Sequence, residues 1–152
     1  MPFLIDTNIL LRLVEPSDPE YSIVRSAVDK LLSRGEQLCF AAQNLVEFWN
    51  VCTRPVDQNG FGLSNADTDA RAMLIEAKFR LLPDSERVHA GWRRLVVEHS
   101  VAGVQVKDAR LVASMLVHGV LNVLTLNDRD FKRYSAISAV HPRDVPTDRA
   151  IS

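Results

Sequence analysis

Four acids in this chain, Asp6, Glu47, Asp108 and Asp130, fall at the junctions of the elements that the sequence pattern predicts, and together they have the makings of a cation site. Asp6 is the clearest. It directly follows the apolar run Phe3-Leu4-Ile5 and precedes Thr7-Asn8 and a second apolar run, Ile9-Leu10-Leu11. A carboxylate at the end of a strand that reads as buried must be hydrated, paired or bound to a cation, because an isolated buried charge is too costly. The other acids each have an ordinary reading when taken singly. Glu47, with Asn44 and Arg54 at helical spacing, fits a solvated stripe, Asp108 suits a helix N-terminus, and Asp128 and Asp130 suit a turn before Phe131. Taken together they need a common cause. Two unit charges about 4 Å apart repel by roughly 4 kcal/mol at an effective dielectric of 20, so three gathered carboxylates would approach the whole stability of a domain, about 5–15 kcal/mol. A divalent cation offsets that repulsion. Ligands offering oxygen alone select magnesium or manganese, ions that keep several waters and commonly bind phosphate oxygens as well.

Short strands separated by helices are expected to position these acids. Residues 2–5 read as a buried strand, followed by a helix capped by Thr7 with Ile9, Leu10 and Leu13 on its apolar face. Ser17 and Glu20 form a capping-box pattern ahead of Tyr21, Val24, Val28, Leu31 and Leu32, and Gly35 ends that helix. Residues 37–42 are a second strand and residues 44–53 a third helix, halted by Arg54-Pro55. The segment 55–63 reads as a loop, a candidate flank for a substrate groove. Ser64 and Asp67 open the next helix, and Asp84 precedes another, with Val88, Trp92, Leu95, Val96 and His99 on one face. The last helix covers residues 107–118, with Gly119 as its stop. Residues 121–126 and, more weakly, 137–140 complete the strands. Short apolar strands alternating with helices suit an α/β fold with a parallel sheet covered on both faces. Ligands of such sheets bind beyond the carboxyl ends of the strands, where Asp6 and the cluster Thr125, Asn127, Asp128 and Asp130 both belong.

The chain has 152 residues, is 47% hydrophobic and carries a net charge of −1. One domain is the expectation, with residues 1–141 as its folded part and 142–152 as a polar tail. A near-neutral total gives no basic footprint for nucleic acid, so any such binding must come from local arrangement or from bound metal. Apolar stretches are too short for a membrane span and the first residues lack a signal-peptide pattern, which points to a cytoplasmic protein. Cys39 and Cys52 lie in apolar segments and read as packing residues. His118 before Gly119 reads as a cation at a helix C-terminus, while Arg54 and Arg110 read either as phosphate contacts or as surface residues. Trp49 and Trp92 fall at core-like helical positions.

The runs LIDTNILL, NLVEFWNVCTRP, DARLVASMLVHG and LTLNDRDF resemble the ordered motifs of PIN domains, and more narrowly those of the VapC-type ribonuclease toxins of toxin-antitoxin pairs. The resemblance spans residues 2–131. It implies a three-layer α/β/α sandwich with a short parallel sheet, and a magnesium- or manganese-dependent endoribonuclease acting on RNA. Carried over by motif, Asp6, Glu47 and Asp108 match the family's metal-site acids, and Asp130 matches the acid before the phenylalanine. Asn127 stands where many relatives place an acid, so the second metal position is open among Asn127, Asp128 and Asp130. Asn8 and Thr125 match supporting polar residues. On this reading Asp6, Asp108 and Asp130 hold metal that activates water, Glu47 positions metal or water, and no side-chain nucleophile is needed. The resemblance further implies a homodimer and a small antitoxin partner, with Leu11 and Val14 either contacts or core. The alternatives are a non-catalytic PIN-like binding module, which the neutral Asn127 keeps open, and a metal-dependent nuclease acting on DNA or a phosphatase.

Overall fold

The run Phe3-Leu4-Ile5 forms β1 (Phe3–Ile5), the middle strand of a five-stranded sheet in a computed structural model that describes residues 1–145. The others are β2 (Leu38–Ala41), β3 (Arg80–Leu82), β4 (Asn122–Leu124) and β5 (Ser138–Val140). Every pairing is parallel, in the order β3-β2-β1-β4-β5. From β1 the chain winds outward one way through β2 and β3, then returns to β4 on the other side, so the winding direction reverses between β1 and β4. Alternation along the strands sends neighbouring residues to opposite faces. Leu4 and Val123 join Leu82, Val112 and Met115 in one core, while Ile5 and Leu124 join Ile9, Val28, Phe40 and Phe48 in the other. Helices α1 (Thr7–Leu13), α2 (Tyr21–Ser33), α3 (Ala42–Thr53) and α4 (Asn65–Lys78) supply the second core, and α5 (Glu86–Glu98) with α6 (Val106–Val117) the first. The expected α/β/α sandwich is the observed one.

Local expectations fared unevenly. Ser64 caps α4 by accepting from the Asp67 amide, and Gly35 and Gly119 end α2 and α6 with φ of 78° and 69°. The cap of α1 is Asp6 rather than Thr7, which is the first helical residue. No capping box opens α2: Ser17 donates to Glu15, and Asp18 accepts from the Glu20 amide in a local turn. Ser85, after Asp84, caps α5 by accepting from the Val88 amide. Strand β3 was not anticipated. The loop after α3 folds back onto that helix's C-terminal end, with the Phe61 and Leu63 amides donating to Val51 and Cys52 carbonyls. This lies at the end of α3 opposite Gln43 and Asn44. The chain also packs beyond residue 141. Residues Pro142–Asp144 form a 3₁₀ turn, and Pro142 and Val145 are buried, so the stretch read as a polar tail begins inside the core. The rest of that tail, 146–152, lies outside the described residues. Leu11 is buried and Val14 half-buried against the second core, which makes both packing residues within this chain. No helix among the described residues is long and apolar enough to cross a membrane.

Candidate acidic site

The winding reversal between β1 and β4 marks one position at the carboxyl edge of the sheet, the usual ligand position of open parallel sheets. Asp6 lies there, one residue beyond β1, its amide donating to the Leu124 carbonyl of β4 at 3.0 Å. An extended backbone at Asp6 ends the strand and starts α1, and its Oδ1 accepts from the Thr7 amide at 2.8 Å. Oδ2 accepts from the Thr125 hydroxyl at 2.8 Å, with the Asn8 amide nitrogen at 3.5 Å. Thr125 is fully buried and saturated: its oxygen also accepts from Asn8 Nδ2 at 3.3 Å and from the Asn127 amide at 3.0 Å. Asn8 completes the arch by accepting from the Leu126 amide at 3.2 Å. Asn8 and Thr125, singled out as supporting residues, thus fasten the Asp6 carboxylate across the β1–β4 seam.

Glu47 enters from α3, which starts at the same edge because β2 runs parallel to β1. The helix is capped through a buried Asn44, whose Oδ1 accepts from the Ala41 amide at 2.8 Å. Asn44 Nδ2 donates to Thr7 Oγ1 at 3.1 Å, and the Thr7 hydroxyl donates to Glu47 Oε2 at 2.9 Å. The solvated-stripe reading of Asn44 and Glu47 therefore fails: Asn44 is inaccessible and Glu47 half-buried. Gln43 and Asn44 were not anticipated at the site, and neither was Thr7 as a contact of Glu47. The one sequence signal was the Gln43–Glu47 spacing of four on a helix, which brings an amide to a carboxylate. Asp108 stands half-buried in the first turn of α6.

Electrostatics ties the four acids together. Burial pushes Asp6 up from 3.8 to about 6, the hydrogen bonds from Thr125 and Thr7 pull the other way, and the charges of Glu47 and Asp130 add to the rise. Asp108 is pushed up to about 7, first by burial, then by Asp6, Asp130 and Glu47, with Lys107 opposing. Asp130, in the 3₁₀ turn Asp128–Phe131, thus acts on both carboxylates, whereas Asp128 figures in neither shift. Asn127 is exposed, and it is its backbone amide that reaches the network. Among the described residues no three His, Cys, Asp or Glu side chains are gathered tightly enough to hold an ion unaided. The donors nevertheless fit a hard, hydrated cation, since all are carboxylates, Glu47 and Asp130 raise the proton affinity of both Asp6 and Asp108, and such ions retain waters in part of their shell.

The remaining candidates make structural contacts, and of these Arg110 and Trp92 line one surface pocket together with Gln43 and Glu47. Arg54 donates to the Asn59 carbonyl and steadies the loop after α3, while Arg110 pairs with Asp84 at 3.2 Å. His118 caps α6 and contacts the Pro83 carbonyl at 2.9 Å. Trp49 and Trp92 pack against the two cores, their indole nitrogens donating to Asn65 and to the Val106 carbonyl. Cys39 and Cys52 are buried free thiols, pushed up by burial, Cys52 to about 11.

The family model described as PIN domain matches residues 3–137. The chain belongs to the PIN domain family. Solved structures with the same fold as this PIN domain include a chain of VapBC2 from Rickettsia felis, solved bound to a DNA fragment from their promoter. It has a TM-score of 0.69 at 13% identity over 93% of this chain and 98% of that one. DNA-bound VapBC from Salmonella typhimurium is similar at 0.69 and 16%, with the same 93% and 98% coverage. VapC20 from Mycobacterium tuberculosis, described as a sarcin-ricin loop cleaving toxin, is similar at 0.58 and 17%, over 80% of this chain and 86% of that one. Among curated proteins there is no match.

Proposed function

We propose that this PIN domain is a magnesium- or manganese-dependent endoribonuclease, the toxin of a toxin-antitoxin pair. The observation that carries the reading is the convergence of Asp6, Glu47, Asp108 and Asp130 at the carboxyl edge of the sheet, where Asp6 and Asp108 are held well above the ordinary carboxylate range by burial, with the charges of Glu47 and Asp130 adding to the rise in both. Asp6, Glu47, Asp108 and Asp130 would hold the ion. When bound, the ion supplies charge neutralisation at a phosphate and acidification of a water. The protein's own part is to present oxygens with little freedom left to lose. Asp6 is fixed by Thr7, Thr125 and Asn8, and Glu47 by Thr7 and Gln43. Neither cysteine competes as a nucleophile, because burial keeps both thiols protonated. RNA as substrate is supported by the likeness to a toxin described as cleaving the sarcin-ricin loop, and a small antitoxin partner by the likeness to VapBC complexes. A cytoplasmic homodimer completes the reading.

The test is cleavage of a mixed panel of structured RNAs and DNAs with magnesium or manganese, compared with Asp6→Asn. Internal cuts in RNA alone, lost in the variant and in chelator, are the expected result. Cleavage of DNA, an equally active variant, or a wild type that binds RNA without cutting it would each refute the assignment.

A further inference from the structure

Gln43 sits one turn before Glu47 on α3. Its Nε2 donates to Glu47 Oε1 at 3.0 Å and to the carbonyl of Lys107 at 2.9 Å. Lys107 immediately precedes Asp108 in the first turn of α6. One side-chain amide therefore bridges the acid on α3 to the turn that carries the acid on α6, across 64 residues of chain. The orientation of the amide follows from its partners. Both are acceptors, a carboxylate and a carbonyl, so the nitrogen must face them. That leaves Gln43 Oε1 buried with no hydrogen-bond partner among the described residues. An unsatisfied buried acceptor is costly and calls for an explanation. Helix stability does not provide one, since an amide–carboxylate pair at this spacing contributes little to a helix.

We infer that Gln43 is a positioning residue for the acidic site, holding the Glu47 carboxylate in place and setting its separation from Asp108; this rests on the metal site of the function proposed above. Thr7 holds only Oε2 of Glu47. Gln43 holds the other oxygen, so its loss frees the terminal torsion of Glu47, which is broad and roughly two-fold when unrestrained. It also unlinks the Glu47 side chain from the α6 turn. Partners that orient a ligand side chain commonly change metal affinity by about 10–100-fold.

The variant Gln43→Met keeps the chain length and removes both donors. Calorimetric titration of manganese is expected to show roughly tenfold weaker binding than wild type, with the metal-free melting temperature nearly unchanged. In a Glu47→Ala background the same substitution is expected to leave manganese affinity where Glu47→Ala alone puts it, because Gln43 acts on the ion through Glu47. Gln43→Ala, with a smaller side chain and higher helix propensity, repeats both measurements should Gln43→Met fold poorly. Unchanged affinity in Gln43→Met, or an equal loss with and without Glu47, overturns the inference, and so does a wild type that binds no manganese. A wild type that binds manganese but cuts no RNA defeats the proposed activity instead and leaves the role of Gln43 standing on the affinities.

Discussion

Replacing Asp6 by asparagine should stabilise the metal-free protein at neutral pH and leave its stability nearly unchanged in mild acid. Asp6 is 7% exposed, and its pKa is raised from 3.8 to about 6 by burial first, with the charges of Glu47 and Asp130 adding to it. A carboxyl whose folded pKa lies above its unfolded one binds its proton more tightly when folded. Its stabilising contribution is complete below about pH 4 and is lost as pH rises through about 6. A shift of about two units corresponds to roughly 3 kcal/mol in full, of which about 1 kcal/mol is already forfeited at about pH 4.5 and nearly all at about pH 7.5. Asparagine carries no such penalty, but its amide nitrogen meets Thr125, whose hydroxyl then loses its acceptor, a cost of roughly 1 kcal/mol at any pH. The two forms should thus be almost equally stable at about pH 4.5, with the variant ahead by roughly 2 kcal/mol at about pH 7.5, or about 1 M in the urea midpoint for a slope near 2 kcal/mol/M. Urea unfolding with chelator present measures this directly. Manganese at about 100 times its dissociation constant should reverse the order, because a form that binds gains about 2.7 kcal/mol. A constant offset between the two midpoints across this pH range would refute the electrostatic account of the site.

Asp108→Asn should abolish metal-dependent RNA cleavage while leaving the circular dichroism spectrum unchanged, and cleavage at the wild-type rate would remove Asp108 from the site. The charge of Asp130 acts on Asp6 and Asp108 while the Asn127 side chain is exposed, so Asp130→Asn should weaken manganese binding by about tenfold or more. Asn127→Asp should alter it far less, and the opposite ranking by calorimetry would make position 127 the fourth ligand. Light scattering should give about twice the chain mass of 17.0 kDa, and a mass that stays at one chain at every concentration would dispose of the homodimer. Ser64→Ala removes the cap of α4 and should cost about 1 kcal/mol in thermal or urea unfolding, and no loss would mean that this bond contributes nothing.

What was legible in the residues divides by the range of the physics involved. The strand periodicity, the glycine stops and the acid after Phe3-Leu4-Ile5 are local patterns, and each led to its element. Strand β3 escaped because its three residues, Arg80-Leu81-Leu82, lie at the sheet edge and directly follow α4, with only Phe79 between. Two of the three are exposed, so neither a buried run nor a turn marks it. The capping box at Ser17 failed for a related reason. Asp18 two residues before Glu20 offered the backbone a closer acceptor, and the chain took the local turn. At the site, Asp6 was legible as an anomaly, while what fastens it was not. Its hydroxyl donor is 119 residues away, and the Asn44–Thr7 bond spans 37. Thr7 had a sufficient local explanation as a helix cap, and Glu47 and Asn44 had one as a solvated stripe. Asp6 itself took the cap position, because a carboxylate one residue beyond a strand is already where the first helical amide needs an acceptor. One oxygen closes the helix, and the other faces the seam with β4. The acid that looked misplaced in an apolar run is therefore held by ordinary capping geometry on one side. The exceptional part of its environment is the company of three further carboxylates, which the parallel order of β2, β1 and β4 brings to one edge of the sheet.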